Sequence, residues 1–278
     1  MILSYHPIFV GDKNLICAGR EPNDKDLTAI KAADAVILPQ GCAKALYLLT
    51  RQNCRHVFPN FDAKFDYPGK IGQIRLFKEK LVPHPRTEIY SSTEGIGFSK
   101  KNRLKHPPFH FPFVFKFDWG GEGESVFFIQ SEKDYSKILE RARVFEQSGW
   151  KGFLLQEYIP SENRSLRVVV IGQTFLSYWR VQENPNEFRS NLAVGARINM
   201  DADPELQHIA VASTNQFCLQ TNINLAGFDF LFSSEGDRKV PLFLEINYFF
   251  GRKALGGSEK YYHLLMTEMQ NWIGHLNF

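Results

Sequence analysis

Two apolar runs near the C-terminal end, "LAGFDFLF" (Leu225–Phe232) and "VPLFLEINYF" (Val240–Phe249), each carry one acid, and no other feature restricts the fold as much. The intervening "SSEGDRK" is turn-forming, so the pair reads as a β-hairpin. A turn near Gly236–Asp237 sets Asp229 opposite Glu245, with Asn247 on the same side two residues further on. Carboxylates opposed across an antiparallel pair lie about 5 Å apart and repel, and apolar surroundings raise that cost. A divalent cation would offset it. Two carboxylates and an amide oxygen are hard donors suited to Mg²⁺, which usually completes its octahedron with water and phosphate oxygens. The alternative is an amphipathic sheet on which Asp229 and Glu245 face solvent and need no ion.

A second stretch, "FVFKFDWGGEGESVFF" (Phe113–Phe128), places one lysine inside an apolar run, ahead of a turn with three glycines. Lys116 either snorkels from an edge strand beside an ordinary hairpin, or works with the glycine N–H groups to clamp an anion. The spacing is not that of a P-loop, whose lysine follows the last glycine. Taken with a metal site further along the chain, the anion clamp becomes the preferred reading.

The bulk numbers fit such a machine. A chain of 278 residues, 44% hydrophobic, has ample material for one large domain or two to three small ones. Its net charge of +3 is too mild to make nucleic acid the main partner. The basic segment Lys100, Lys101, Arg103, Lys105 and His106 reads as a solvated loop or helix face. Cys17, Cys42, Cys54 and Cys218 form no CxxC pair, so neither zinc nor a disulfide framework is suggested, and the eight histidines have no metal-ligand spacing. Reduced thiols, an N-terminus that meets His6 and Asp12 too soon for a signal peptide, and the lack of a membrane-length apolar run lead to the expectation of a cytoplasmic protein without membrane contact.

Periodicity places helices at Leu27–Ala33, Ala43–Gln52, Ile71–Lys80, Ser131–Gln147 and Asp203–Phe217, and a last one carrying Tyr261, Leu265, Met269 and Trp272. Strands fall at "DAVILP", "HVFPNF", "FLLQEYI", "LRVVVI" and "TFLSYWRV", the last two joined at Gly172–Gln173, besides those around the two stretches above. Early βα alternation followed by antiparallel hairpins means an α+β, mixed α/β fold rather than a doubly wound sheet.

The ordered series of motifs resembles the ATP-grasp superfamily, and within it the branch of ribosomal-protein glutamate ligases and glutathione-synthetase-like amide ligases. The likeness spans Asp34 to Lys253 and rests on "DAVILPQG", "FPN", "GKIGQIRLFKEKLVPHPRT", "FPFVFKFDWGGEGESVF", "LLQEYI", "LRVVVIG", "YWR", "FRSN", "AGFDF" and "LEIN". The resemblance implies a pre-ATP-grasp α/β domain at 1–65 and an ATP-grasp domain at 66–278. The latter divides into subdomains 66–156, with the glycine-rich lid, and 157–278, with the metal site, which grip ATP between them. It also implies that Lys70 and Lys116 contact ATP phosphates under Gly120, Gly121 and Gly123, and that Gln156, Glu157, Tyr158 and Ile159 line the adenine pocket. Asp229, Glu245 and Asn247 would hold one or two Mg²⁺ or Mn²⁺ ions, and Arg180, Arg189 and Asn191 would flank the γ-phosphate and reacting carboxylate. The implied activity is carboxylate–amine ligation through an acyl phosphate, releasing ADP and phosphate, on small-molecule or peptide substrates, in a chain that can form homo-oligomers. An ATP-grasp phosphotransferase and a non-catalytic nucleotide-binding module are the alternatives.

Three departures stand out. The residue that meets the ribose is open among Glu162, Asn163 and Ser165. The final small residue of the glycine loop is Ser125, which should stiffen the lid a little. After Asn247 the chain reads "YFFGRKALGG", so Arg252 and Lys253 either bind an anionic substrate or face solvent, and substrate identity does not transfer. Arg167 is either part of the site or a strand residue in a salt bridge.

Overall fold

The computed structural model describes residues 1–97, 106–121, 123–233 and 239–276. Lys100, Lys101, Arg103, Lys105 and the hairpin turn at Gly236–Asp237 lie outside the described residues. The chain begins with strands β1 (Ile2–Ser4) and β2 (Lys13–Asn14), helix α1 (Asp24–Lys31), β3 (Ala35–Ile37), α2 (Lys44–Asn53), β4 (His56–Phe58) and the short α3 (Asp62–Asp66). These strands form a parallel sheet in the order β2-β1-β3-β4. Asn23 caps α1, accepting from the Lys25 and Asp26 N–H groups while the Asp26 carboxylate reaches back to the Asn23 N–H. The strand pattern alone had not marked β1, which is only three residues long.

Helix α4 (Gly69–Glu79) leads into β5 (Thr87–Tyr90), β6 (Phe113–Phe117), β7 (Val126–Ile129), α5 (Glu132–Gln147) and β8 (Phe153–Glu157). The four strands pair antiparallel in the order β5-β8-β6-β7. Ser131 caps α5 by accepting from Asp134 N–H, and the Tyr135–Ile138–Leu139–Ala142 stripe packs on Phe113, Phe115 and Phe117.

The remainder is β9 (Arg164–Ile171), β10 (Thr174–Val181), β11 (Arg197–Asn199), α6 (Pro204–Thr221), β12 (Leu225–Leu231), β13 (Leu242–Asn247) and α7 (Gly257–Gly274). Its five-stranded antiparallel sheet runs β11-β10-β9-β12-β13. Strand β9 is buried on both faces, which explains its continuous apolar run: Leu166, Val168 and Val170 meet α4 and α6, while Val169 and Ile171 meet α7. No helix among the described residues is long and apolar enough to cross a membrane.

Helix α4 sets the distance between the two antiparallel sheets. Leu76 and Phe77 share a core with Leu154 of β8 and with Phe228 and Phe243 of β12 and β13. The Gln73 amide makes both hydrogen bonds to the Ile246 backbone, at 2.8 and 2.9 Å. The N-terminus of α4 is capped from a distance, because Asp118 Oδ1 accepts from Ile71 N–H at 2.8 Å. Gly69 has φ +70° beneath that carboxylate, and a Cβ on Gly72 would lie 2.3 Å from the Tyr67 carbonyl carbon. Helix propensity alone favours Gly72→Ala by about 1 kcal/mol. The backbone contact should outweigh it, so urea unfolding is expected to show a net loss of about 2–3 kcal/mol; a gain would mean that the Tyr67 turn yields freely.

Candidate active site

Between the two antiparallel sheets lies a cleft with walls from β6, β7 and the end of β8 on one side and β10, β12 and β13 on the other. The hairpin register places Asp229 directly across from Glu245 and Gly227 across from Asn247. Register then slips by one, Phe230 pairing with Phe243, so Leu244 is the extra residue of a β-bulge beside the acids. Leu244 and Glu245 consequently both line the cleft, although they are adjacent in sequence.

Neighbouring charges, rather than solvent, answer the repulsion between Asp229 and Glu245. Asp229 is 4% exposed and pairs on its other side with Arg167 of β9. Arg167 donates to it twice, Nε to Oδ1 and Nη2 to Oδ2, both at 2.7 Å. Arg180 Nη2 lies 3.0 Å from Oδ1, and Asn247 Nδ2 donates to Oδ2 at 3.1 Å. Burial alone would raise the Asp229 pKa, but Arg167 and Arg180 hold it below the usual carboxylate value. Arg167 is thus the salt-bridged strand residue, and it points inward. Arg180 also donates to Ser165 Oγ, which accepts from Ser190 Oγ.

Lys116, 8% exposed, faces this group across the cleft. Burial pushes its ammonium down to about 8, with Glu245 opposing and Lys70 reinforcing the shift. Lys70, in the first turn of α4, donates to the lid carbonyls of Gly120 (2.8 Å) and Trp119 (3.4 Å), and burial lowers its pKa too. Arg189 holds Glu187 through Nε and Nη2, both at 2.8 Å, and reaches Gly123 O through Nη1 at 3.2 Å. The glycine lid is therefore fastened from both sides by cations. At the far end, Gln156 Nε2 donates to Thr87 Oγ1 and Glu157 Oε1 accepts from Arg86 N–H, while Tyr158 packs edge-on to Phe128.

Of the residues expected from sequence, Lys70, Lys116, Gly121, Gly123, Gln156, Glu157, Tyr158, Ile159, Arg180, Arg189, Asn191, Asp229 and Glu245 line this one cleft. Gly120 and Asn247 do not line it but are bonded to Lys70 and Asp229, which do. Phe188 and Ser161 also line it and were missed, while Arg167, left open between site and salt bridge, is the salt-bridged partner of Asp229. Ser161 lies on the cleft wall; Ser165 is fully buried beneath Arg180, Glu162 pairs with Arg164, and neither these two nor Asn163 is on the cleft lining. Arg252 is half-buried on the rings of Tyr261 and Tyr262 and Lys253 is exposed, both outside the cleft lining.

The donor set suits a hard cation. Among the described residues Glu245 has no hydrogen bond or ion pair, and only the Nδ2 of Asn247 is engaged, leaving its Oδ1 as a donor. The two Asp229 oxygens each already accept two contacts, the four lone-pair positions a carboxylate has. A cation there would share Asp229 with the guanidinium groups.

Residues 69–267 match the sequence pattern of the RimK-like ATP-grasp domain. Glutamate–LysW ligase ArgX of Sulfurisphaera tokodaii is 29% identical over 142 residues, 51% of this chain and 48% of that protein. A probable alpha-L-glutamate ligase of Xanthomonas campestris pv. campestris is 31% identical over 138 residues, 49% of this chain and 43% of its own length. The chain thus spans just under half the length of these curated relatives. A RimK domain ATP-grasp protein from Sphaerobacter thermophilus superposes with a TM-score of 0.59 over 97% of this chain and 100% of that one, at 12% identity. D-alanine–D-alanine ligase from Bacillus anthracis, complexed with ATP, gives 0.60 over 96% and 90% at 15% identity. The fold is that of ATP-grasp proteins.

Two outcomes follow for the isolated protein. Arg167→Leu leaves Asp229 short of a buried partner and should cost about 3–5 kcal/mol; adding Asp229→Asn should recover a large part, measured as a double-mutant cycle by urea unfolding. The folded chain holds the Lys116 proton only to about pH 8, whereas the unfolded chain holds it to its ordinary 10.5. The buried cation therefore costs stability in full below about pH 8, and the cost fades as pH rises to 10.5. Lys116→Met should melt about 2–6 °C higher at pH 7, with the gap closing above pH 8 in thermal scans.

Proposed function

We propose that this chain, which belongs to the RimK-like ATP-grasp family, is an ATP-dependent carbon–nitrogen ligase joining a carboxylate to an amine. The observation that carries the reading is the convergence of Lys70, Lys116, Arg180 and Arg189 with Asp229 and Glu245 around one cleft that ends at the Gln156–Ile159 strand terminus. On this reading residues 1–65 form a separate α/β unit, and subdomains 66–156 and 157–278 hold the nucleotide between them.

The adenine lies against Gln156, Glu157, Tyr158 and Ile159, with Phe188 and Val126 as apolar walls. Backbone groups at the end of β8 read its edge. Lys116 and Lys70 take the phosphates, and their lowered basicity rises again when a triphosphate arrives to pair with them. The space between the walls is about 100 Å³ in this structure, small beside the roughly 300–1,000 Å³ of small-molecule sites. The lid must lift for entry, and the phosphates then compete with Gly120 O for Lys70. Asp229, Glu245 and Asn247 would hold Mg²⁺, which when bound neutralises phosphate charge during transfer.

In the first step a substrate carboxylate oxygen bonds to the γ-phosphorus and the bond to ADP breaks, giving an acyl phosphate. Arg180 and Arg189 hold the carboxylate and the transferring group in line. In the second step an amine attacks the acyl carbon and loses a proton, and phosphate departs. Arg189 or Arg180 donates to the tetrahedral oxyanion, a contribution worth about 10²–10³ in rate. Arg167 does not touch substrate. It keeps Asp229 ionised and fixed in direction.

Incubation with Mg-ATP and pooled amino acids and dipeptides tests this. Release of ADP and phosphate should require one carboxylate and one amine, and ¹⁸O from the carboxylate should appear in phosphate. Release of AMP, or a stable phosphorylated product with no call for an amine, would contradict it. Arg189→Ala should lower turnover by about 10²–10³ while AMP-PNP affinity by calorimetry stays within about threefold; equal loss of both would refute the role assigned to Arg189.

A further inference from the structure

The hydrogen bonds around Gln156 fix which way its side-chain amide points. Gln156 of β8 and Thr87 of β5 are directly opposed, so their side chains lie on one face of the sheet, and Gln156 lines the cleft. Both are buried, at 2% and 5% exposure. Thr87 Oγ1 donates to Pro85 O at 2.8 Å, and Gln156 Nε2 donates to Thr87 Oγ1 at 2.9 Å. A peptide carbonyl can only accept, so the single hydroxyl proton is committed to Pro85 O. Thr87 is left able only to accept from Gln156.

Turning the amide over would set Oε1 against Thr87 Oγ1 with no proton between them, or oblige the hydroxyl to abandon Pro85 O. Either arrangement leaves a buried polar group unpaired, at the full cost of its desolvation. The segment carrying Pro85 is itself anchored. Arg86 N–H donates to Glu157 Oε1 at 2.6 Å, and Arg86 O accepts from Glu157 N–H at 3.0 Å. The orientation of Gln156 is thus set by a buried relay, Gln156 to Thr87 to Pro85, tied to the same strand end that lines the cleft.

The carbonyl end of the amide is left for the cleft. Gln156 Oε1 accepts no hydrogen bond among the described residues, and it is not one of the side-chain oxygens enclosed without a partner. Beyond the strand end, the N–H groups of Tyr158 and Ile159 also have no partner among the described residues, and both residues line the cleft. This stretch therefore offers one fixed acceptor followed by backbone donors. Adenine shows the complement, a 6-amino donor beside the N1 acceptor. A 6-oxopurine shows the reverse, an O6 acceptor beside an N1–H donor.

We propose that Thr87 is the positioning residue that makes this site select 6-aminopurine over 6-oxopurine nucleotides, by holding Gln156 with its acceptor toward the base. Thr87 itself touches no ligand. Base selection of this kind rests on the ligase reading, whose nucleotide site it deepens. A 6-oxopurine would bring O6 against Oε1, and the relay through Thr87 to Pro85 blocks relief by turning the amide. A site whose buried polar groups are left unpaired by the wrong ligand rejects it far more strongly than an apolar pocket can.

The test is calorimetric titration of the whole protein with ADP and with IDP, each with Mg²⁺. The two differ at the purine 6-position and N1 and hardly at all in size or charge. ADP should bind at least about fiftyfold more tightly. Thr87→Val keeps the shape of the side chain but frees the amide to turn, and the ADP-over-IDP ratio should fall at least about tenfold. Thr87→Ser keeps the hydroxyl and should hold the ratio within about threefold of that of the unaltered protein. A purely structural role for Thr87 would weaken both nucleotides together and leave the ratio where it was. Gln156→Met, which removes the amide, should lower the ratio too, and it covers the case in which Thr87→Val does not fold. An unchanged ratio in Thr87→Val or Gln156→Met, or IDP binding the unaltered protein as tightly as ADP, would overturn the role given to Thr87 and leave the ligase reading standing. Failure of both nucleotides to bind would sink that reading and the base selection with it.

Discussion

The interior of this protein is organised around one buried carboxylate. Asp229 sits in the middle of a row of side chains crossing the sheet, Tyr178, Arg167, Asp229 and Glu245, each directly opposite the next. Without Arg167 and Arg180, two facing acids in apolar strands would push the hairpin apart or take up protons. With them, Asp229 stays ionised and its oxygens are fixed in direction. The negative charge left over resides on Glu245, opposite the buried Lys116 and Lys70. An alternating arrangement of this kind lets a polyanion and a cation enter together without leaving either charge unmatched.

The placement of that row follows from packing rather than from the charges themselves. Arg167, Val169 and Ile171 share one face of β9. Helix α7 and the parallel sheet cover Val169 and Ile171, in company with Ile37 and Phe58, while Arg167 lies toward the cleft end. Helix α4 fixes the opposing wall, with Gln73 bonded to β13 and Lys70 a residue away from a helix start that Asp118 caps. The lysine that reaches the lid is thus positioned by the same segment that carries the lid.

Much of this was legible in the chain. The facing of Asp229 and Glu245 followed from period-two alternation and a turn-forming loop, and Lys116 stood out because a charge within "FVFKF" needs a reason. Most of the separately resembling motifs came together on one cleft, carried by strands β6, β8, β10, β12 and β13, by the first turn of α4 and by the loop holding Arg189 and Asn191, whereas "DAVILPQG" and "FPN" lie in the parallel sheet away from it. What stayed hidden depends on three-dimensional partners. The bulge at Leu244 leaves no periodic mark, so the slip that turns Leu244 and Glu245 to the same cleft could not be read. Arg167 had an ordinary strand position, and its engagement of Asp229 depends on β9 lying beside β12, a neighbour far away in sequence. Ser165 carried a plausible hydroxyl for a ribose and proved to be buried under Arg180. The expectation that a divalent ion offsets the facing acids, with solvent exposure as the alternative, overlooked these guanidinium groups.

The most direct measurement is the anomalous difference map of crystals grown with Mn²⁺ and AMP-PNP. A manganese peak bonded to Glu245 and the Asn247 amide oxygen, with Asp229 still held by Arg167 and the triphosphate against Lys116, is the expected result. A nucleotide seated away from Lys116, or a manganese ion touching neither Glu245 nor Asn247, would contradict the charge arrangement described for this cleft.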